Sequence, residues 1–116
     1  MIAVIFEVWP KDGRKQEYLE LAALLRKELL KIDGFISIER FQSMADTGKI
    51  LSLSFWSDEN AIKEWRNLEI HRGAQKKGRD SVFTDYRLRV TSIIRDYGMK
   101  EREEAPLDSM HAHNNG

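Results

Sequence analysis

Ile2 to Trp9, reading IAVIFEVW, carries apolar side chains on both sets of alternating positions, with Glu7 its one acid. Successive side chains of a strand point to opposite faces, so such a run suits a strand covered on both sides. A domain built around it needs two layers of cover, which restricts the architecture more than any single motif does. The chain that follows supplies the first layer. Pro10-Lys11-Asp12-Gly13 is a turn, in which Pro sets φ and Gly accepts positive φ. From Arg14 to Ile32, Tyr18, Leu21, Ala22, Leu25, Leu29 and Ile32 recur at helical spacing with charges on the other side, and Gly34 ends the helix as a left-handed cap residue.

Phe35 to Met44 reads as a second strand, Ala45-Asp46-Thr47-Gly48 as a hairpin-type loop, and Lys49 to Trp56 (KILSLSFW) as a third strand. In the third strand Ile50, Leu51, Leu53 and Phe55 are set against Ser52 and Ser54. Ser57-Asp58-Glu59 supplies an N-cap and first-turn acids for a helix carrying Ala61, Ile62 and Trp65. The pattern places a kink near Asn67 and a more polar helical piece over 70–80. Tyr86 to Tyr97 closes the sequence of elements as a half-exposed strand, with Tyr86, Leu88, Val90 and Ile94 against Arg87, Arg89, Thr91 and Arg95.

The order is β-α-β twice, joined by a hairpin. It predicts an α+β, ferredoxin-like split βαβ fold: a four-stranded antiparallel sheet with its helices on one face. The second face then stays bare although strands one and three are apolar in both directions. A bare apolar face is costly, and a second copy packed through a two-fold axis covers it most simply. A homodimer is therefore expected. The domain is expected over residues 1–98. Residues 99–116 (MKEREEAPLDSMHAHNNG) form a polar tail, either an arm onto the partner or a frayed end. The histidines of its HAH triplet read as solvated, because a metal site needs three or four ligands.

Charge and composition remove whole classes of function. Lys plus Arg and Asp plus Glu each total 19 in 116 residues, so the net charge is zero and a dedicated nucleic-acid binder is not expected. There is no cysteine, which excludes thiolate metal sites and cysteine nucleophiles. No apolar run approaches a membrane span, and MIAVIFEVWPKDG lacks a basic n-region and a cleavage site. A cytoplasmic protein is the expectation, with no nucleic-acid and no membrane partner.

Few residues are left that carry chemistry. Trp65 lies four residues after Ala61 and three after Ile62, so it faces the sheet, either as a core aromatic or as the flat wall of a cavity. His71 is a candidate base near neutral pH, or a helix-end residue with no acid at an orienting spacing. Arg66, Arg72, Lys76, Lys77 and Arg79 make a basic stripe, solvated or steering an anion. Glu7 is either paired with an arginine such as Arg87 or Arg89, or it lines a pocket with a raised pKa. Arg40 and Tyr86 offer hydrogen bonds to a phenol or enolate. No phosphate-cradling loop, dinucleotide fingerprint or nucleophile–histidine–acid grouping is present.

The stretch LSLSFWSDENAIKEWRNLEIHRGAQKKGR, with YRLRVTSIIRDY after it, resembles the antibiotic biosynthesis monooxygenase (ABM) domain family over about residues 1–98. FWSDENAIKEWR and HRGAQKKGR are its most specific pieces. The resemblance implies a dimeric α+β barrel with a pocket between each sheet and its own helices. Some members oxidise electron-rich phenols with O2 and no metal or flavin, and one branch degrades haem. That branch uses an asparagine on strand one, a tryptophan on the second helix and a haem-ligating histidine ten residues on. Trp65 matches; Gln75 stands ten residues on, with His71 only six on, and Phe6 and Glu7 occupy the asparagine's place. Two of three positions depart, so no cofactor is expected and haem is disfavoured. The combined reading is a cofactor-independent monooxygenase of a small planar aromatic or quinoid molecule, with His71 or Glu7 as base and Trp65, Phe55, Arg40 and Tyr86 around the substrate. A non-catalytic dimeric small-molecule binder is the alternative, and a haem-degrading protein the third.

Overall fold

The computed structural model of the chain describes residues 1–72 and 82–108, and the side chains of residues 69–72 lie outside that description. The elements are β1 (Ile2–Pro10), α1 (Lys15–Leu29), β2 (Phe35–Gln42), β3 (Ile50–Trp56), α2 (Glu59–Arg72) and β4 (Phe83–Ser92). They form one sheet in the order β2-β3-β1-β4, antiparallel at every pairing. This is the α+β ferredoxin-like fold that the sequence order predicts.

Element ends differ where a partner runs out. β2 stops at Gln42, two residues before the expected Met44, because the Gln42 amide turns into the loop and donates to the carbonyls of Thr47 and Lys49 at 3.0 and 2.9 Å. β4 starts at Phe83 and stops at Ser92, not Tyr97, since Ser92 is already opposite Ile2 at the start of β1. Ile94, expected in the strand, is 82% exposed. α2 runs through Asn67 as one unbroken helix to Arg72, where a break near Asn67 was expected; most of the expected helical piece over 70–80 lies outside the described residues.

The helix ends follow local chemistry. Asp58 caps α2 by accepting the Ala61 N–H at 3.0 Å. α1 ends earlier than expected, at Leu29 with Leu30 as its C-cap in the right-handed region, so Gly34 is not the helix cap. With φ +93°, Gly34 turns the chain into β2, and its carbonyl accepts the Ser57 N–H at 2.7 Å. A Cβ at Gly34 would lie 2.5 Å from Ser57 Oγ and 3.0 Å from the Ala61 methyl, so this corner needs glycine for space as well as for φ.

The helix-facing core falls into two clusters. One gathers Val4, Leu29, Ile32, Trp56, Ala61 and Ile62. The other gathers Val8, Tyr18, Ile50 and Val82. Tyr18, Ala22, Leu29 and Ile32 of the predicted α1 stripe are buried, and Leu21 and Leu25 are half-buried between them. The opposite face of the sheet carries half-buried Ile5, Leu51, Leu53 and Phe55. Glu7 shares that face and pairs with Lys49 and Arg89.

After β4 the Ile93 N–H donates to Met1 O at 3.0 Å, and the chain continues as an arm with bonds of its own. Gly98 N–H donates to Glu101 O at 2.8 Å, and the Arg102 guanidinium stands 5.2 Å over the Tyr97 ring. The HAH triplet lies outside the described residues. Among the described residues no helix is long and apolar enough to cross a membrane.

Candidate functional site

Two cross-strand rows make the floor of a cavity between the helices and the sheet. Arg40 of β2 stands opposite Ser52 of β3, which stands opposite Phe6 of β1, which stands opposite Leu88 of β4. The neighbouring row is Ile38, Ser54, Val4 and Val90. In each row the β3 position is a serine, where a large residue would fill the space beneath the helices. The low floor leaves a cavity of about 270 Å³ between the two core clusters, roofed by Tyr18, Leu21 and Leu25 of α1 and Ile62 and Trp65 of α2. Ligand pockets usually measure roughly 300–1,000 Å³, so this one suits a small molecule.

Its walls are aromatic. The Phe6 ring lies 5.6 Å from that of Tyr86 and 6.1 Å from that of Phe83, which meets Tyr18 at 5.5 Å. At the other end Trp56 meets Phe35 at 5.2 Å, and its indole N–H is satisfied by Ser54 Oγ at 2.9 Å. The polar groups are few. Arg40 and Arg66 contribute guanidinium groups, and no carboxylate lines the cavity among the described residues. Arg40 Nε is shut away from solvent and has no hydrogen-bond acceptor.

The structure brings together Trp65, Arg40 and Tyr86 of the predicted site, all on the cavity lining. It separates Phe55 and Glu7 from them. Phe55 is on the opposite face, beside Met1, Ile36 and Ile93, because β3 turns its even-numbered positions to the helices and its odd-numbered ones away. Glu7 is on that face too. Hydrogen bonds from Lys49, and then Arg89, hold its carboxyl below the ordinary 4.5, so it is a paired anion and not a pocket carboxyl with a raised pKa. His71 is in the last turn of α2, with its side chain outside the described residues.

Sequence reasoning did not pick out Phe6, Trp56 or the two serines as site residues. The signal was the alternation of serine within an apolar strand. It reads as a wet face, yet here Ser52 and Ser54 are each 5% exposed beneath the cavity.

A haem does not fit this site. The described lining holds no imidazole or thioether, and about 270 Å³ is too small to enclose a porphyrin. No group of three or more metal-ligating side chains occurs among the described residues.

A sequence profile described as antibiotic biosynthesis monooxygenase matches residues 1–77. A protein of Pyricularia oryzae named jasmonate monooxygenase ABM is 47% identical over 106 residues, covering 89% of this chain and 49% of that protein. The Bacillus subtilis protein YqjZ is 34% identical over 62 residues, covering 53% of each. The chain thus spans about half the length of the curated relatives it matches. Among solved structures, Rv0793 from Mycobacterium tuberculosis superposes with a TM-score of 0.72 at 14% identity, over 84% of this chain and 98% of that one. A variant of SnoaB, a cofactor-independent oxygenase from Streptomyces nogalater, gives 0.70 at 9% identity, over 82% and 94%. With two-thirds of its length inside the profile and the fold shared, this chain belongs to the antibiotic biosynthesis monooxygenase family.

Proposed function

We propose that the chain is a monooxygenase that oxidises a small, largely apolar molecule with O2 and without a bound cofactor, as a homodimer. The observation that carries this reading is the small aromatic-walled cavity with Arg40 and Tyr86 on its lining. Without a cofactor the substrate supplies the electrons. Conversion of a methylene beside a phenol or enolate to a carbonyl consumes one O2 and releases one water, so atoms and electrons balance. The protein binds the substrate, helps remove a proton and shields the anion from water. Arg40 and Tyr86 stabilise the developing oxyanion, and Trp65 and Phe6 hold a planar or cyclic body between them. His71 is the candidate base that remains, since Glu7 is on the other face.

Two substrate types fit that description. One is a planar phenol or quinoid of few rings. The other is suggested by the relative of Pyricularia oryzae, whose name specifies jasmonate, a cyclopentanone with an acidic arm and an alkenyl arm. The homodimer is supported by the half-buried stripe of Ile5, Leu51, Leu53 and Phe55, which the helices do not cover.

The test is oxygen uptake, with 18O incorporation followed by mass spectrometry, using anthrones, quinols and jasmonate. Wild type is expected to consume O2 with at least one of them, and His71→Ala to lose the uptake while still binding. Trp65→Phe is expected to weaken binding several-fold. Binding without uptake by wild type would leave a non-catalytic carrier, and binding of none would end both readings.

A further inference from the structure

We infer that the cavity selects small amphipathic carboxylic acids, seating the carboxylate on the guanidinium of Arg40 and the apolar body among Phe6, Trp56 and Trp65. The inference deepens the oxygenase reading, because it takes the same cavity as the substrate site and names the class of molecule that enters it. For such an acid Arg40 is the anchor of the carboxylate, and Tyr86 is left to the developing oxyanion. Its first support is the sign of the charge. Arg40 and Arg66 are the charged residues of the described lining, and nothing acidic there offsets them. Arg66 is exposed at the mouth, where a cation draws an anion inward.

The second support is what Arg40 lacks. Charged groups elsewhere can find opposite charge, as Glu7 does with Lys49 and Arg89 and Arg14 with Glu17 at 2.7 Å. Arg66, Arg87 and Arg95, which have no pair among the described residues, are exposed to water. Arg40 makes no hydrogen bond or ion pair among the described residues, although it is half-buried and its Nε is cut off from solvent. An edge-strand arginine can extend into water at no cost. This one instead lines an apolar space, where an unpaired cation and an unsatisfied N–H are both unfavourable. Its opposite neighbour on β3 is the small Ser52, and the Arg40 side chain lines the cavity between them and the helices.

The third support is shape. The Nε and Nη edge of arginine presents two parallel N–H donors that match the two oxygens of a carboxylate. A phenolate or enolate has one oxygen and uses only half of that edge. A carboxylate therefore satisfies the charge, and the orphaned N–H as well once the guanidinium turns toward it, while the neutral ester of the same acid satisfies neither.

The experiment compares acids with their methyl esters, which keep the apolar body and lose the charge. Jasmonate and 1-naphthaleneacetate are each paired with the methyl ester, and binding is read from quenching of tryptophan fluorescence and by calorimetry. Wild type is expected to bind at least one acid about tenfold or more tighter than its ester. Arg40→Gln should bring acid and ester to within about twofold by weakening the acid alone, and Arg40→Lys should keep part of the preference. Arg66→Gln should slow association and leave most of the preference. Circular dichroism and a thermal melt check that the variants fold; should Arg40→Gln not fold, the acid-to-ester ratio of wild type still decides.

Equal binding of acid and ester by wild type, binding of neither acid, or an undiminished preference in folded Arg40→Gln would overturn the inference. Acid preference without O2 uptake would sink the oxygenase reading and leave the anchor standing. Uptake with neutral phenols, without acid preference, would do the reverse.

Discussion

Two residues show how far a single position reaches. Glu7 looked like a possible pocket base, but it is held as an anion on the outer face by Lys49 and Arg89. Its folded pKa lies below the ordinary 4.5, so the stability it contributes is present above that value and is lost as pH falls through the lowered folded pKa. Glu7→Gln is therefore expected to flatten the acid side of a stability-against-pH curve measured by thermal melts. An unchanged acid limb in the variant would contradict the pairing. Gly34 is the other case, since any side chain there must adopt φ +93° and meet Ser57 and Ala61. Gly34→Ala should cost on the order of 1–3 kcal/mol in chemical denaturation. A loss no larger than that of a surface substitution would show that the corner can relax.

At the scale of the element, α2 and β3 divide stability from function. Asp58 supplies the side-chain acceptor at the start of α2. Asp58→Ala should cost about 1 kcal/mol, seen as a melting point lower by roughly 4 °C, with ligand affinity nearly unchanged. β3 behaves in the opposite way. Ser52 is buried beneath the cavity, so Ser52→Leu fills space that is empty in the folded chain. The variant should keep or raise the melting temperature and lose binding of the acids, because the volume it takes is the volume the ligand needs. Retained binding would mean that the cavity is a gap in packing and the site is elsewhere.

These elements also mark what was legible. The α1 stripe from Tyr18 to Ile32 predicted which residues meet the sheet, because a period of 3.6 leaves one face to bury. The same reasoning brought Trp65 to the sheet side. It misled at Phe55 and left the serines unassigned, because alternation tells which residues share a face and not which face the helices cover. For KILSLSFW, water or a cavity on the serine side gives the same sequence pattern. Arg40 was named beforehand only as a donor. Its isolation depends on what β3, β1 and the helices place around it.

For the whole molecule the sheet retains its uncovered side. With the stripe of Ile5, Leu51, Leu53 and Phe55 packed against a second copy, sedimentation velocity should show a dimer, and Leu53→Lys should give a folded monomer. A wild-type monomer at micromolar concentration would instead leave that face to another partner. The arm over residues 93–108 adds to the same question. Ile94, Met99 and Leu107 are more than 80% exposed on a segment whose own hydrogen bonds fix its course.

The amino-acid sequence by itself determined the order of elements, the two-faced strands and the stripe of each helix, because periodicity and turn chemistry act over neighbouring residues. It also set the inventory of chemistry: no thiol, few histidines and no nucleophile grouping. Tertiary structure decided which side of β3 became the floor, that Glu7 would be paired with cations on strands far along the chain, and that Arg40 would face an apolar space with no acid beside it among the described residues. Those outcomes rest on register between strands brought together from distant parts of the chain, which no local pattern encodes.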